Sequence, residues 1–146
     1  FNNANAHVQW VSLSQPRQLQ DHLRGGRGFL CTRDADFDSD VIRAHACGTP
    51  VIVSAGSPIA ELIIDAELDG PGTGLLFDQP TPAAVVATML ELERRPQKYS
   101  ATFAWAHAKR FSHDRFVRDL SQYIAAVLAA FEQSGTEDAT QRRSAA

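Results

Sequence analysis

The chain has 146 residues, 44% of them hydrophobic and 21% charged, with 9 glycines and 7 prolines, the balance of an ordinary globular domain and not of a disordered or fibrous chain. At the usual ~100 to 150 residues per domain this length implies one core. A formal charge of -3 supplies no global basic field for a phosphate backbone, which argues against a nucleic-acid partner and leaves any anion site local.

Apolar alternation with β-branched and aromatic content, Val8 and Trp10 included, predicts a strand over 7–13. Ser14 as a cap and Pro16 in the first turn open a short helix with Leu19 and Leu23 on one face, and Gly25-Gly26 close it. A strand over 28–31 follows. An acidic loop over 34–38 feeds a helix over 39–47, which stops at Gly48-Thr49-Pro50 ahead of an apolar strand over 51–53. Ser57-Pro58 opens a helix through 64, and the glycine-rich turn 69–74 leads into a short strand over 75–77. Thr81-Pro82 starts a helix with Val85, Val86, Met89 and Leu90 inward, and Pro96 ends it. The remainder reads as helical. Phe116, Val117, Leu120, Tyr123, Ile124, Val127, Leu128 and Phe131 form a wide apolar stripe that needs the sheet layer or another domain to pack on. From 134 the sequence is polar and reads as disordered, so the folded part is expected over 1–133 and a tail over 134–146.

Strands separated by helices give an α/β fold, a Rossmann-like parallel sheet with helices on both faces. In such sheets ligands bind beyond the carboxyl ends of the strands, where loops feed helix N-termini. The loops 32–38 and 54–58 satisfy that condition.

Other local features have plainer readings. Cys31 and Cys47 are too few for a disulfide scaffold or a four-ligand zinc site and read as free cytoplasmic thiols. Asp34, Asp36, Asp38 and Asp40 suggest a calcium loop, but Ser39 and His45 stand where such a loop needs Gly and Glu, so Asp38 or Ser39 reads as a helix cap. Arg24 to Gly28 reads as a helix end and not as an RNA-binding patch. No Gly-Lys-Ser/Thr phosphate loop occurs, and His7, His22, His45, His107 and His113 lack metalloprotease spacing and read as surface or core-edge residues. No stretch has the ~18 apolar residues of a membrane helix. The chain begins at Phe1 with no signal pattern, which reads as a fragment or an excised domain.

Ala44-His45-Ala46-Cys47-Gly48-Thr49-Pro50-Val51-Ile52-Val53, then Glu61-Leu62-Ile63 and Thr73-Gly74-Leu75-Leu76-Phe77-Asp78, form a recognisable string. It resembles group 1 glycosyltransferases of the GT-B fold, closest to mannosyltransferase-like members of polysaccharide and O-antigen assembly. The resemblance runs from about 8 to 124 and covers most of the C-terminal Rossmann-like domain, truncated at its N-terminus. It implies a nucleotide-sugar donor such as GDP-mannose or a UDP-hexose, no other cofactor, and a separate N-terminal acceptor-binding domain missing from this chain. The thiol reading makes the expected location cytoplasmic, or peripheral at the membrane. By position, the donor would meet Arg33, Asp36, Phe37, Asp38, Ser39, Arg43 and Ser57, while no residue is assigned a catalytic or metal-binding role.

Within that pocket the chain departs from the family. The paired glutamates fall on Ala35 and Arg43, the loop glycine on Asp38, and the Gly-Gly before the next helix on Ser57-Pro58. Arg43 has donors only and cannot accept from ribose hydroxyls. Losing two charged hydrogen bonds at ~1.5 to 3 kcal/mol each weakens binding roughly a hundred- to ten-thousand-fold. A carboxylate ~6 Å from a diphosphate charge costs about 3 kcal/mol at an effective dielectric of 20, which Arg33 and Arg43 would partly offset. Two readings follow: the donor-binding half of a hexosyltransferase, or a degenerate, non-catalytic module kept for packing or partner binding. A response-regulator-like domain is weaker, because no partner Lys sits at a matching strand end.

Overall fold

The computed structural model describes residues 8, 11–12, 15–32, 37–65 and 70–144, with the backbone alone for Pro16 and 132–144. The chain divides into two compact units, Phe1–Lys109 and Arg110–Ala146. The strand expected over 7–13 falls largely outside the described residues.

The first unit runs α1 (Pro16–Gly25), β1 (Phe29–Leu30), α2 (Ser39–Ala46), β2 (Val51–Ser54), a 3-10 helix (Pro58–Leu62), β3 (Gly74–Phe77), α3 (Pro82–Arg94), a 3-10 turn (Pro96–Lys98) and α4 (Ala101–Ala108). Among the described residues it is an α/β unit with three parallel strands in the order β1-β2-β3. Val51 pairs with Phe29 on one side and Gly74 on the other, so β2 is the central strand.

Side-chain alternation along the strands sorts the core into two layers. Val51 and Val53 of β2 bury one face with Leu23 of α1, Val41 and Ala44 of α2, and Ile59 and Ile63. Ile52, Leu75 and Phe77 point the other way and pack with Leu92, Ala84 and Val85 of α3. Helices therefore cover both faces of the sheet.

Local chemistry fixes the boundaries. Gln15, not Ser14, precedes α1, and its N–H donates to Gln18 Oε1 at 3.3 Å; Ser14 lies outside the described residues. Helix α2 ends at Ala46, and Gly48 beyond its C-cap has a φ of +78° that suits glycine; a Cβ there would lie 2.8 Å from Ala101 Cβ. The helix expected over 58–64 is a 3-10 helix that stops at Leu62. Its continuation is prevented because Thr73 takes both backbone groups of Ile64: Ile64 N–H donates to Thr73 Oγ1 and Thr73 N–H to the Ile64 carbonyl, each at 2.8 Å. The backbone there is drawn toward the sheet, and Asp65 bridges to Gly74.

Thr49 joins layers. Its buried hydroxyl donates to the Leu23 carbonyl at 2.5 Å, tying the end of α1 to the turn before β2. His45 and His107 depart from the surface or core-edge reading: both are buried, His45 completely. The geometry explains it, because α2 packs on α4 and the two imidazoles meet across that seam.

In the second unit, α5 (His113–Ser144) is one helix. It continues through 134–144, where the polar sequence is expected to be disordered. The eight apolar residues of its stripe are 43–76% exposed. Arg115 and Arg118 both pair with Asp119, at 3.2 and 3.4 Å.

Candidate functional site

A cleft of about 700 Å³ opens at the carboxyl ends of the three strands. Cys31 and Thr32 follow β1, Ser54 closes β2 and Ser57 follows it, and Phe77 closes β3 with Asp78 and Thr81 beyond. Val85 and Val86 of α3 complete an apolar wall. A volume of this size lies within the range of small-molecule sites.

Three helical segments begin at or beside this rim, and at each the side chain of the capping residue accepts a first-turn backbone N–H. Asp38 Oδ1 accepts from Asp40 N–H at 2.8 Å at the start of α2. Ser57 Oγ accepts from Ile59 N–H at 3.3 Å, and Thr81 Oγ1 from Ala84 N–H at 3.3 Å. These side chains replace lost intrahelical partners, each worth about 1 kcal/mol. Pro58 and Pro82 fill first helical positions, where a missing N–H costs nothing.

Of the seven donor-contact candidates, Arg33 and Asp36 lie outside the described residues. Ser57 is buried and lines the cleft. Asp38 is buried behind it, capping α2 and accepting the Cys31 thiol at 3.6 Å. Phe37 and Ser39 are exposed and are not lining residues. Arg43 is exposed too, its Nη1 held 2.8 Å from Asp40 Oδ1 one helical turn back. Of the described candidates, Phe37, Asp38, Ser39 and Arg43 thus lie at the start and outer face of α2, and Ser57 lines the cleft.

Thr32, Asp78 and Thr81 were missing from the sequence-derived set. Thr32 already lies in the loop 32–38 selected at the first strand's end, and the same rule finds Asp78 and Thr81 when it is applied to the third strand, whose Asp78 to Pro82 segment carries a cap and a first-turn proline.

The lining chemistry is hydroxylic and apolar. Asp78 is the charged side chain among the described lining residues. No group of three His, Cys, Asp or Glu side chains converges among the described residues as a metal site would require. Neither Cys31, which is buried, nor Cys47 is in a disulfide. Among the described residues, no helix is long and apolar enough to cross a membrane.

Neither the curated proteins nor the solved structures provide a match to this chain. A family model does: the one described as glycosyl transferases group 1 matches residues 3–108, a span that contains all three strands, the cleft, α3 and α4. With that match over most of its length and a parallel α/β sheet carrying the cleft, the chain belongs to the group 1 glycosyltransferase family.

Proposed function

We propose that the chain is the donor-binding half of a GT-B hexosyltransferase, mannosyltransferase-like, acting in polysaccharide or lipopolysaccharide assembly. The hexose of a nucleotide sugar such as GDP-mannose or a UDP-hexose passes to an acceptor hydroxyl. The sugar-phosphate bond breaks, a glycosidic bond forms, and the nucleoside diphosphate leaves with the electron pair. The observation that carries this reading is the cleft of about 700 Å³ at the carboxyl ends of three parallel strands, inside the family-matched span. An N-terminal acceptor-binding domain is the partner this activity requires. Arg33 and Arg43 are the cations proposed for the diphosphate, and Arg43 would exchange Asp40 for phosphate on binding. Transfer of labelled hexose by the full-length natural protein tests it; no transfer from any common nucleotide sugar rejects it.

A second reading, a non-catalytic module, is favoured by one arrangement. Asp38 occupies the N-terminus of α2 with its own carboxylate, and Arg43 is engaged with Asp40. Calorimetric titration with GDP-mannose and UDP-glucose separates the readings, run beside a variant carrying Ala35→Glu, Asp38→Gly and Arg43→Glu. Binding by the natural chain supports the enzyme, whereas binding by the variant alone supports a pocket altered at those three positions.

A further inference from the structure

We infer that the buried histidine pair at the seam of α2 and α4 is an acid-sensitive latch: neutral, it holds α4 and the 3-10 helix Pro58–Leu62 in place, and when His45 takes up a proton the two part from α2. The inference does not depend on what the cleft binds.

The pair joins three elements. His45 of α2 is completely buried, and neither ring nitrogen reaches a hydrogen-bond partner among the described residues. The buried His107 of α4 packs edge to face against it and meets the Leu62 carbonyl with its own Nε2. Leu62 ends the 3-10 helix, and Ser57, which caps the start of that helix, lines the cleft. Release of the His107 contact therefore reaches the cleft wall through one short helix.

A neutral imidazole can be packed in this way, but an imidazolium carries two N–H donors and a charge that need acceptors or solvent. Strands β2 and β3 carry no charged side chain. Around them, Arg17, Asp21, His22 and Arg24 of α1, Arg43 of α2, Glu61 of the 3-10 helix and Lys109 after α4 are exposed. On α2 and its two ends, Asp40 accepts from Arg43, Asp38 accepts from Asp40 N–H, and the Cys47 thiol donates to the Gln20 carbonyl. Asp65, half-buried, follows the 3-10 helix. His107 is the titratable group facing His45, and after burial itself it is what opposes the proton, the Thr73 backbone offsetting part of the effect. Acid therefore favours the open seam, where the imidazolium reaches water. Helix α4 is the element that yields, because its buried side chains beside His107 are only Ala104 and Ala108, whereas α2 is anchored on the sheet through Val41 and Ala44.

Amide hydrogen exchange of the full chain, read by NMR at pH 7 and pH 4.5 and corrected for intrinsic rates, tests the latch in the natural protein, His45→Met and His107→Gln. The first variant has no imidazole to protonate at the seam centre; the second keeps an N–H for the Leu62 carbonyl and removes the facing ring. In the natural chain, protection in α4 and the 3-10 helix should fall at least tenfold at pH 4.5 while β2 keeps its protection. The fall should be less than about threefold in His45→Met and intermediate in His107→Gln. Circular dichroism verifies that each variant is folded. Unchanged protection in the natural chain overturns the inference, as does an equal fall in His45→Met. Loss of β2 protection together with that of α4 overturns it too, since that is global unfolding and not release of a latch. If His45→Met does not fold, His107→Gln decides, and a fall as large as in the natural chain rejects the latch.

Discussion

His45 and His107 meet edge to face across the seam between α2 and α4, with ring centroids 5.6 Å apart and planes at 79°. His107 Nε2 lies 3.1 Å from the Leu62 carbonyl, so the tautomer that donates from Nε2 satisfies both groups. His45 has no comparable arrangement: neither of its ring nitrogens reaches a hydrogen-bond partner among the described residues. Burial, then the nearby His107, push its pKa down to about 4, and the Thr73 backbone, close but outside hydrogen-bond geometry, offsets only part of this.

A pH dependence follows. With a folded value near 4 against 6.5 unfolded, the unfolded chain binds more protons between those values, so stability falls as pH drops through that window and levels off below it. The residue contributes about 3 kcal/mol to that loss. Urea unfolding at pH 7 and pH 4 should show the difference shrinking by roughly that amount in His45→Met, a side chain that adapts to irregular core space. An equal difference in both proteins would show that His45 is not held neutral by burial.

Gly74 admits no side chain. It sits opposite Val51 at the start of β3, and a Cβ there would overlap the Val51 carbonyl oxygen, which lies in the backbone and cannot yield. Gly74→Ala should destabilise the chain by about 3 kcal/mol or prevent folding, in the range of severe packing defects. Gly25→Ala is the control: nothing lies within 4 Å of its Cβ position, and the change should be neutral or raise the melting temperature slightly. Thermal melts of the two variants side by side give the answer.

Asp38 is both a helix cap and the acceptor of a buried thiol. Asp38→Ala should cost about 1 to 2 kcal/mol in urea unfolding, and Asp38→Asn, which retains an oxygen for Asp40 N–H, less than half of that. Equal losses would mean that the charge, and not the cap geometry, stabilises α2.

The Thr49 hydroxyl offers a fourth measurement. Thr49→Val keeps the shape but leaves the Leu23 carbonyl with the Gly26 N–H alone, at a cost of about 0.5 to 1.5 kcal/mol. Thr49→Ser keeps the hydroxyl and should lose less. A valine variant as stable as the natural chain would remove this contact from the account of how α1 is held.

Much of the fold was legible because its signals are local. Val51-Ile52-Val53 is too short and too β-branched for a helix, Gly48 and Pro50 mark the turn before it, and Thr81-Pro82 is a helix start by capping chemistry alone. The failures are non-local. The helix from Pro58 stops early because Thr73, nine residues beyond Ile64, takes both of its backbone groups. His45 reads as a boundary residue until α4, some sixty residues later, covers it. In the candidate site, Ser57 could be placed because its strand-end loop is visible in the sequence. The engagement of Arg43 with Asp40 depends on a rotamer choice that no spacing rule dictates.

The strand order has a kinetic consequence. Each strand pairs with the next one along the chain, β1 with β2 and β2 with β3. Among the described strands no pairing must wait for a distant segment, and the entropic cost of closing each connection is modest. During synthesis, a nascent chain can dock each strand soon after it emerges. The growing sheet then exposes one fresh apolar edge at a time, which limits the interval in which unfinished chains can stick to one another.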